Sequence, residues 1–340
     1  IMVVGETSRA LNWSLYDYDR DTNPELSKIE GVTSFCHVLT ESNTTHKSVP
    51  MLLSPVSAQN FDSIYYRKSV ITAFKEAGFQ TAFFSNQRYN HSFIDFFGME
   101  ADTYDFIKED SQDSQYNPSD DELLMLVEKE LEKGNRKQFI VLHTYGSHFN
   151  YRERYPETAA FFLPDFPVDA EVKYKDNLMN AYDNSIRYTD NFLARIIHLL
   201  KQQQVDASML YTSDHGEDIF DDGRHLFLHA SPVPSYYQLH VPLLLWTSDS
   251  YREEYPGIEK AASMNRQKNI SSSISFFQTM MELAGIETPY RNDSLSVTSP
   301  LYTEKSRVYL NDHNEPRPLD DIGMRKEDFE MLKKRGIDAQ

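Results

Sequence analysis

Ser208-Met209-Leu210-Tyr211-Thr212-Ser213-Asp214-His215-Gly216-Glu217 is a strand-length, largely apolar run that breaks within one residue into a carboxylate, an imidazole, a glycine and a second carboxylate. A short continuous run of this kind reads as a strand buried on both faces, as in parallel sheets. Met2 to Gly5, Thr81 to Phe84, Phe139 to His143, Val241 to Trp246 and Val308 to Leu310 have the same character. Between them lie helical patterns. Leu123, Leu124, Val127 and Leu131 follow Ser119-Asp120-Asp121 at helical spacing, with Gly134 placed to end the helix. Tyr66 to Ala77, Asp176 to Lys201 and Ser271 to Ala284 read as further helices, the last stopped by Gly285. The alternation predicts an α/β fold, a central mostly parallel sheet with helices on both faces. In such sheets ligands bind beyond the carboxyl ends of the strands. Asp214 and His215 follow one strand end, Glu6 another, and His143 and His148 a third.

The 340 residues suit one large catalytic domain over 1–340, on a prior of roughly 150 residues per domain with α/β folds running larger. Hydrophobic residues make up 40%, with 21 Phe and 21 Tyr, enough for a sizeable core. The net charge of −18 repels polyphosphate backbones, so nucleic acid is excluded as a partner. No apolar run approaches the roughly 20 residues of a membrane helix. The chain opens directly on the apolar Ile1-Met2-Val3-Val4-Gly5, so further residues are expected upstream. Cys36 is the single cysteine, and an intrachain disulfide is impossible. Gln112 to Ser119 and the aromatic, proline-rich Tyr151 to Val168 read as loops, and Glu315 to Gln340 as a tail ending in a charged helix of unassigned position.

Glu, Asp and His form the ligand set of a divalent metal such as zinc. Alone, Asp214-His215-Gly216-Glu217 reads equally as a strand-end turn, and Glu6 as a capping carboxylate; placement at three strand ends favours the metal, provided that Glu6 lies near Asp214 and His215. A nucleophile is offered by Ser42-Asn43-Thr44-Thr45-His46-Lys47-Ser48-Val49-Pro50, ahead of the apolar Met51 to Leu53. A hydroxyl at a helix N-terminus sits in positive potential, and metal coordination lowers its pKa further. The same position suits an N-cap, and spacing does not choose between Thr44 and Thr45.

Gly5-Glu6-Thr7-Ser8-Arg9-Ala10, Tyr18 to Leu26, Thr45 with Ser48-Val49-Pro50, His143 to His148, Asn180-Ala181-Tyr182-Asp183-Asn184, Ser213 to Glu217 and Val241 to Trp246 stand in an order that resembles the phosphoethanolamine transferases of bacterial outer envelopes. The resemblance spans residues 1 to about 290. It implies the alkaline phosphatase and sulfatase-like sandwich, carried behind an upstream transmembrane segment in the inner membrane and facing the periplasm. It also implies Glu6, Thr45, Asp214 and His215 as ligands of a tightly bound zinc, with Thr45 also the nucleophile. His148 aligns with a histidine that contacts the transferred phosphate or a second zinc. Its partner is taken as His229, in Phe227-Leu228-His229-Ala230, over His225. Asn43, Asn86, His148, Glu217 and His229 fall at positions resembling substrate contacts. The implied donor is phosphatidylethanolamine, the acceptor lipopolysaccharide (lipid A or a core sugar) or another envelope glycan, and the molecule a monomer.

The chain also departs from that family. Where the lipid A branch has a disulfide bracketing the nucleophile, Glu41 and Met51 stand here. His148 to Pro156 looks more like the branch that modifies core sugars. His143 reads as a buried support residue, and His37, His46, His91, His198, His240 and His313 as structural. Binding an anionic acceptor requires local positive charge, for which Lys47, Arg88 and Arg224 are the candidates. Alternatives are a phosphoglycerol transferase, a phosphodiesterase or phosphatase of the same superfamily, and a non-catalytic binding domain. A sulfate ester hydrolase is disfavoured because Ser48-Val49-Pro50-Met51-Leu52 lacks the arginine of the formylglycine motif.

Overall fold

A computed structural model describes residues 1–108, 117–134 and 137–339. The strands are β1 (Met2–Gly5), β2 (Val32–Phe35), β3 (His37–Leu39), β4 (Gln80–Ser85), β5 (Thr103–Phe106), β6 (Gln138–His143) and β7 (Ser208–Ser213). They continue as β8 (Asp218–Ile219), β9 (Phe227–Leu228), β10 (Leu243–Thr247), β11 (Asn269–Ser271), β12 (Val308–Leu310) and β13 (Pro316–Pro318). The helices are α1 (Thr45–Leu52), α2 (Val70–Glu76), α3 (Phe93–Gly98), α4 (Asp121–Glu132) and α5 (Lys175–Gln203). After them come α6 (Tyr236–Leu239), α7 (Asp249–Glu254), α8 (Pro256–Asn265), α9 (Ser272–Leu283) and α10 (Lys326–Lys334).

Among the described residues, seven strands form one sheet in the order β2-β10-β7-β1-β6-β4-β5. Only β10 runs against the rest, since it pairs antiparallel with both β7 and β2 while the other pairings are parallel. The central strands are buried on both faces, so their side chains divide with period two between two cores. Met2, Val4, Phe83, Phe139, Val141 and Leu210 enter one, under α1, α2, α3 and α9. Val3, Phe84, Ile140, Leu142, Met209 and Tyr211 enter the other, with the faces of α4 and α5. The α5 face follows helical spacing, with Leu178, Ala181, Tyr182, Ser185, Ile186, Thr189, Leu193, Ile196, Ile197 and Leu200 all buried. Gly5 pairs with Ser213, Val4 with His143, and Ser85 with His143, so four central strands end level with one another. Everything that follows these ends meets at one edge.

Three expectations about elements change. The helix expected from Tyr66 to Ala77 is divided: a 3-10 segment closes at Tyr66, Arg67 is extended, and α2 begins only after Ser69, whose hydroxyl accepts the Ile71 N–H. Val308 to Leu310 does not join the sheet but pairs antiparallel with β13. Its Leu310 N–H donates instead to the Glu41 carbonyl. The loop expected over 151–168 contains 3-10 turns at Tyr151–Arg154 and Glu157–Ala159. Residues 112–116 of the other expected loop lie outside the described residues, and 117–119 are irregular. The tail now has a position. Tyr236, Leu239, Tyr309, Leu319, Leu332 and Ile337 form a third core, and Asp328 at the start of α10 accepts the Tyr236 N–H. No helix among the described residues is long and apolar enough to cross a membrane.

His240, which leads into β10, gives the fold a pH signature. It is buried, with Nδ1 2.7 Å from the Tyr236 hydroxyl and Nε2 3.0 Å from the Cys36 carbonyl. That carbonyl takes the Nε2 proton, so Tyr236 donates to Nδ1 and the ring is neutral. Burial pushes its pKa down to about 3. A group depressed below its unfolded value of about 6.5 contributes stability that is complete above pH 6.5 and lost as the pH falls toward 3, at about 1.4 kcal/mol per unit. Urea denaturation at pH 7.5 and pH 5 should therefore show a fall about 2 kcal/mol larger in the natural chain than in His240→Gln.

Candidate active site

The turn after β1 carries Glu6, and the turn after β7 carries Asp214 and His215; all three are buried. One ligand atom from each lies within 4.8 Å of the others. Thr45 arrives from the other core, as the first residue of α1, and its Oγ1 lies 3.2 Å from each Glu6 carboxylate oxygen and 3.1 Å from His215 Nε2. Thr44 is the N-cap, with its hydroxyl 3.3 Å from Ser42, away from this group. The geometry thus separates two threonines that spacing left equivalent. The loop before α1 is held to β7 by Thr40, whose hydroxyl donates to the Asp214 carbonyl at 2.8 Å.

The turn after β6 closes over Glu6. Gly146 has φ +51°, and a Cβ there would stand 2.6 Å from the Glu6 carbonyl oxygen, so only glycine permits the approach. Ser147 N–H donates to that same carbonyl. Thr7, at φ +59°, donates its hydroxyl to Glu6 Oε1 at 2.8 Å. Gln87, beyond β4, contacts Glu6 Oε2 at 3.4 Å.

This donor set fits a divalent cation. The His215 Nδ1–H points to the Gly216 carbonyl at 3.0 Å, leaving the Nε2 lone pair toward Glu6, Asp214 and Thr45. Asp214 Oδ1 accepts the Thr7 and His215 N–H groups, whereas Oδ2 is buried and accepts no hydrogen bond among the described residues. Burial and the facing Asp214 charge raise the Glu6 pKa, burial raises that of Asp214 to about 6, and burial with the nearby His229 charge depresses that of His215. Two buried carboxylates against a neutral imidazole are the electrostatic signature of a site built for a cation.

The remaining expected residues divide by depth. His229 Nδ1 lies 2.9 Å from Glu217 Oε2, and its ring centre is 4.2 Å from His215 and 6.1 Å from His148. Against burial, which favours the neutral ring, the Glu217 hydrogen bond and charge raise the His229 pKa. His148 stacks on Tyr145 at 4.9 Å, its Nδ1 is 2.6 Å from the Phe149 carbonyl, and burial lowers its pKa to about 4. In both rings Nδ1 is engaged, so Nε2 is the nitrogen left to meet a ligand. His225 instead sits in a turn at φ +52°, its N–H on the Asp222 carbonyl.

Three residues expected to touch substrate face protein instead. Glu217 is fully buried, with the Tyr151 hydroxyl on Oε1 and His229 on Oε2, so it supports the histidine from behind. Asn43 donates to the Ser231 carbonyl and Gln238 Oε1 and accepts from the Tyr309 hydroxyl. Asn86 is buried and donates to the Pro118 carbonyl and Asp120 Oδ1. Of the candidate cations, Lys47 is spent on the Asn311 carbonyl and Arg224 on Asp222 and Asp328; Arg88 lines the cavity beside Thr45.

Residues 1–286 match the sulfatase family. The chain belongs to the sulfatase family. Within it, the chain is 30% identical over 298 residues to the Escherichia coli phosphoethanolamine transferase EptA, covering 85% of this chain and 54% of that protein. It thus spans about half the length of this curated relative. The solved C-terminal periplasmic domain of EptC from Escherichia coli, in complex with zinc, superposes with a TM-score of 0.84 over 95% of this chain and 92% of that one, at 24% identity. The corresponding EptC domain from Campylobacter jejuni gives 0.78 over 89% and 94%, at 26% identity. The sulfatase-family fold here therefore carries a threonine at the start of α1, where Thr45 faces Glu6 and His215.

Proposed function

We propose that this chain is the catalytic domain of a zinc-dependent phosphoethanolamine transferase, moving the group from phosphatidylethanolamine to a lipopolysaccharide acceptor through an ester on Thr45. The observation that carries this reading is the Thr45 hydroxyl at 3.1–3.2 Å from Glu6 and His215, in a chain whose relatives bear that name. Glu6, Thr45, Asp214 and His215 would hold the zinc, which supplies Lewis acidity toward the phosphoryl oxygens and a lowered pKa for the bound hydroxyl.

Thr45 Oγ1 attacks the donor phosphorus, its proton lying toward the Glu6 carboxylate; the bond to the diacylglycerol oxygen breaks and the phosphoethanolamine stays on Thr45. A protonated His229, poised by Glu217, supplies the proton to the departing oxygen, and His148 stands beside it. In the second half, an acceptor hydroxyl attacks the same phosphorus and passes its proton to His229, while the bond to Thr45 Oγ1 breaks and that oxygen recovers its proton from Glu6. Phosphoryl transfer relies mostly on positioning and charge, which fits a site assembled from four strand ends. Placement on the periplasmic face of an inner membrane, behind a transmembrane segment, belongs to the same proposal, as does action as a monomer.

Incubation with phosphatidylethanolamine followed by peptide mass analysis should show a phosphoethanolamine adduct on the Thr45 peptide. Dialysis against a chelator should reduce adduct formation to background, and zinc should restore it. Diacylglycerol release without an adduct would replace this reading with hydrolysis.

A further inference from the structure

Beside Thr45 lies a cavity of about 230 Å³ whose lining includes Gln87, Arg88, Asn90, Lys108 and Tyr145. The Lys108 ammonium lies 3.3 Å from the centre of the Tyr145 ring, and the Arg154 guanidinium 4.2 Å from it. Tyr145 in turn stacks on His148. Arg88 is exposed at this wall, and neither it nor Lys108 forms an ion pair among the described residues. Asp120 is held by the Tyr145 and Gly146 N–H groups and Asn86, Asp95 by the Asn90 and Ser92 N–H groups, and Glu153 pairs with Arg154 at 3.1 Å, so Lys108 and Arg88 are the cations left to face the cavity. Burial first, and then the Arg154 and Arg88 charges, push the Lys108 pKa down to about 8 against the Asp120 and Glu153 charges. In a chain of net charge −18, such a cluster beside a nucleophile is an anion site.

We infer that Lys108 and Arg88 form an anion subsite that receives a phosphate group carried by the acceptor. The inference rests on the transferase reading for its choice of occupant. In that reaction the phosphoryl being moved sits on Thr45 in this cavity, where the zinc held by Glu6, Asp214 and His215 would neutralise it; the ethanolammonium is a cation that this wall repels, and the departing diacylglycerol is neutral. The anion left to be neutralised belongs to the acceptor, and the small cavity suits one such group rather than a whole lipid.

The test is calorimetric titration of the folded, zinc-loaded protein with inorganic pyrophosphate, repeated on the metal-free protein so that zinc-held anion is subtracted. The double variant Lys108→Ala/Arg88→Ala should bind about tenfold or more weakly in both forms, and Lys108→Arg should recover much of the loss. Equal affinity in variant and natural chain, or no binding by the natural chain, overturns the subsite. Transfer assays then separate the two sources of phosphate. The double variant should raise KM for a phosphorylated glycan well beyond any change in the rate of loading Thr45 from phosphatidylethanolamine. Equal losses in loading and discharge would assign the subsite to the donor and overturn the acceptor assignment. Pyrophosphate binding that depends on Lys108 and Arg88, without an adduct on Thr45, would fault the transferase reading alone; an adduct without such binding would fault the subsite alone.

Discussion

Thr45→Ala is expected to lower phosphoethanolamine transfer by about four orders of magnitude and to remove the covalent adduct, while the chain stays folded. The size follows from the loss of the attacking atom itself, since removing a nucleophile leaves only what binding and charge contribute. Folding should survive because Thr45 is only half-buried and its hydroxyl contacts Glu6 and His215 rather than the core. Thr45→Ser is the informative control: it keeps an oxygen at the same place and should retain measurable turnover. Single-turnover assays with circular dichroism as the fold check would decide the matter. A natural rate in Thr45→Ala, or an adduct mapped to another peptide, would remove Thr45 from the mechanism.

The largest effect on stability is expected at Arg9. Its side chain is 1% exposed, and Nη1 donates to Asp221 Oδ2 at 2.7 Å and to the Glu217 carbonyl at 2.9 Å, while Nε donates to Asn12 Oδ1 at 2.6 Å. The guanidinium also lies 5.4 Å and 5.3 Å from the Tyr182 and Tyr237 ring centres. Arg9→Met keeps much of the volume but leaves the largely buried Asp221 carboxylate with only the Ile219 N–H in place of its ion pair, a change that costs about 3–5 kcal/mol. The double variant Arg9→Met/Asp221→Leu should recover part of that loss, because the uncompensated carboxylate is gone. Urea denaturation of the two variants checks both statements. A loss below about 1 kcal/mol in Arg9→Met would mean that Asp221 finds water or another partner.

How far the sequence reveals this molecule depends on what each residue faces. The central strands were legible because burial on both faces makes them continuous apolar runs, as in Phe139-Ile140-Val141-Leu142. β2 and β5 were not: Val32-Thr33-Ser34-Phe35 and Thr103-Tyr104-Asp105-Phe106 lie at the two sheet edges, where polar side chains are tolerated. Glu6, Asp214 and His215 were legible as site candidates because each directly follows a strand. Depth was hidden. Glu217 and Asn43 stand next to site residues along the chain, yet they point into protein, and sequence distance carries no sign of that. Arg88, Lys108 and Arg154 meet only through the pairing of β4 with β5 and the turn after β6, so no local spacing links them.

The matched sulfatase-family segment ends at residue 286, but the mechanical unit does not. The Tyr309 hydroxyl holds Asn43, the Asn311 carbonyl holds Lys47, Leu310 N–H meets the Glu41 carbonyl, and Arg307 donates to the carbonyls of His37 and Ile270. These contacts bracket the segment that presents Thr45, where Glu41 and Met51 leave no covalent bridge. Anyone exchanging this domain between relatives should move residues 287–339 with it. A chimaera cut at residue 286 would inherit Glu6, Thr45, Asp214 and His215, but with the loop that presents Thr45 unbraced.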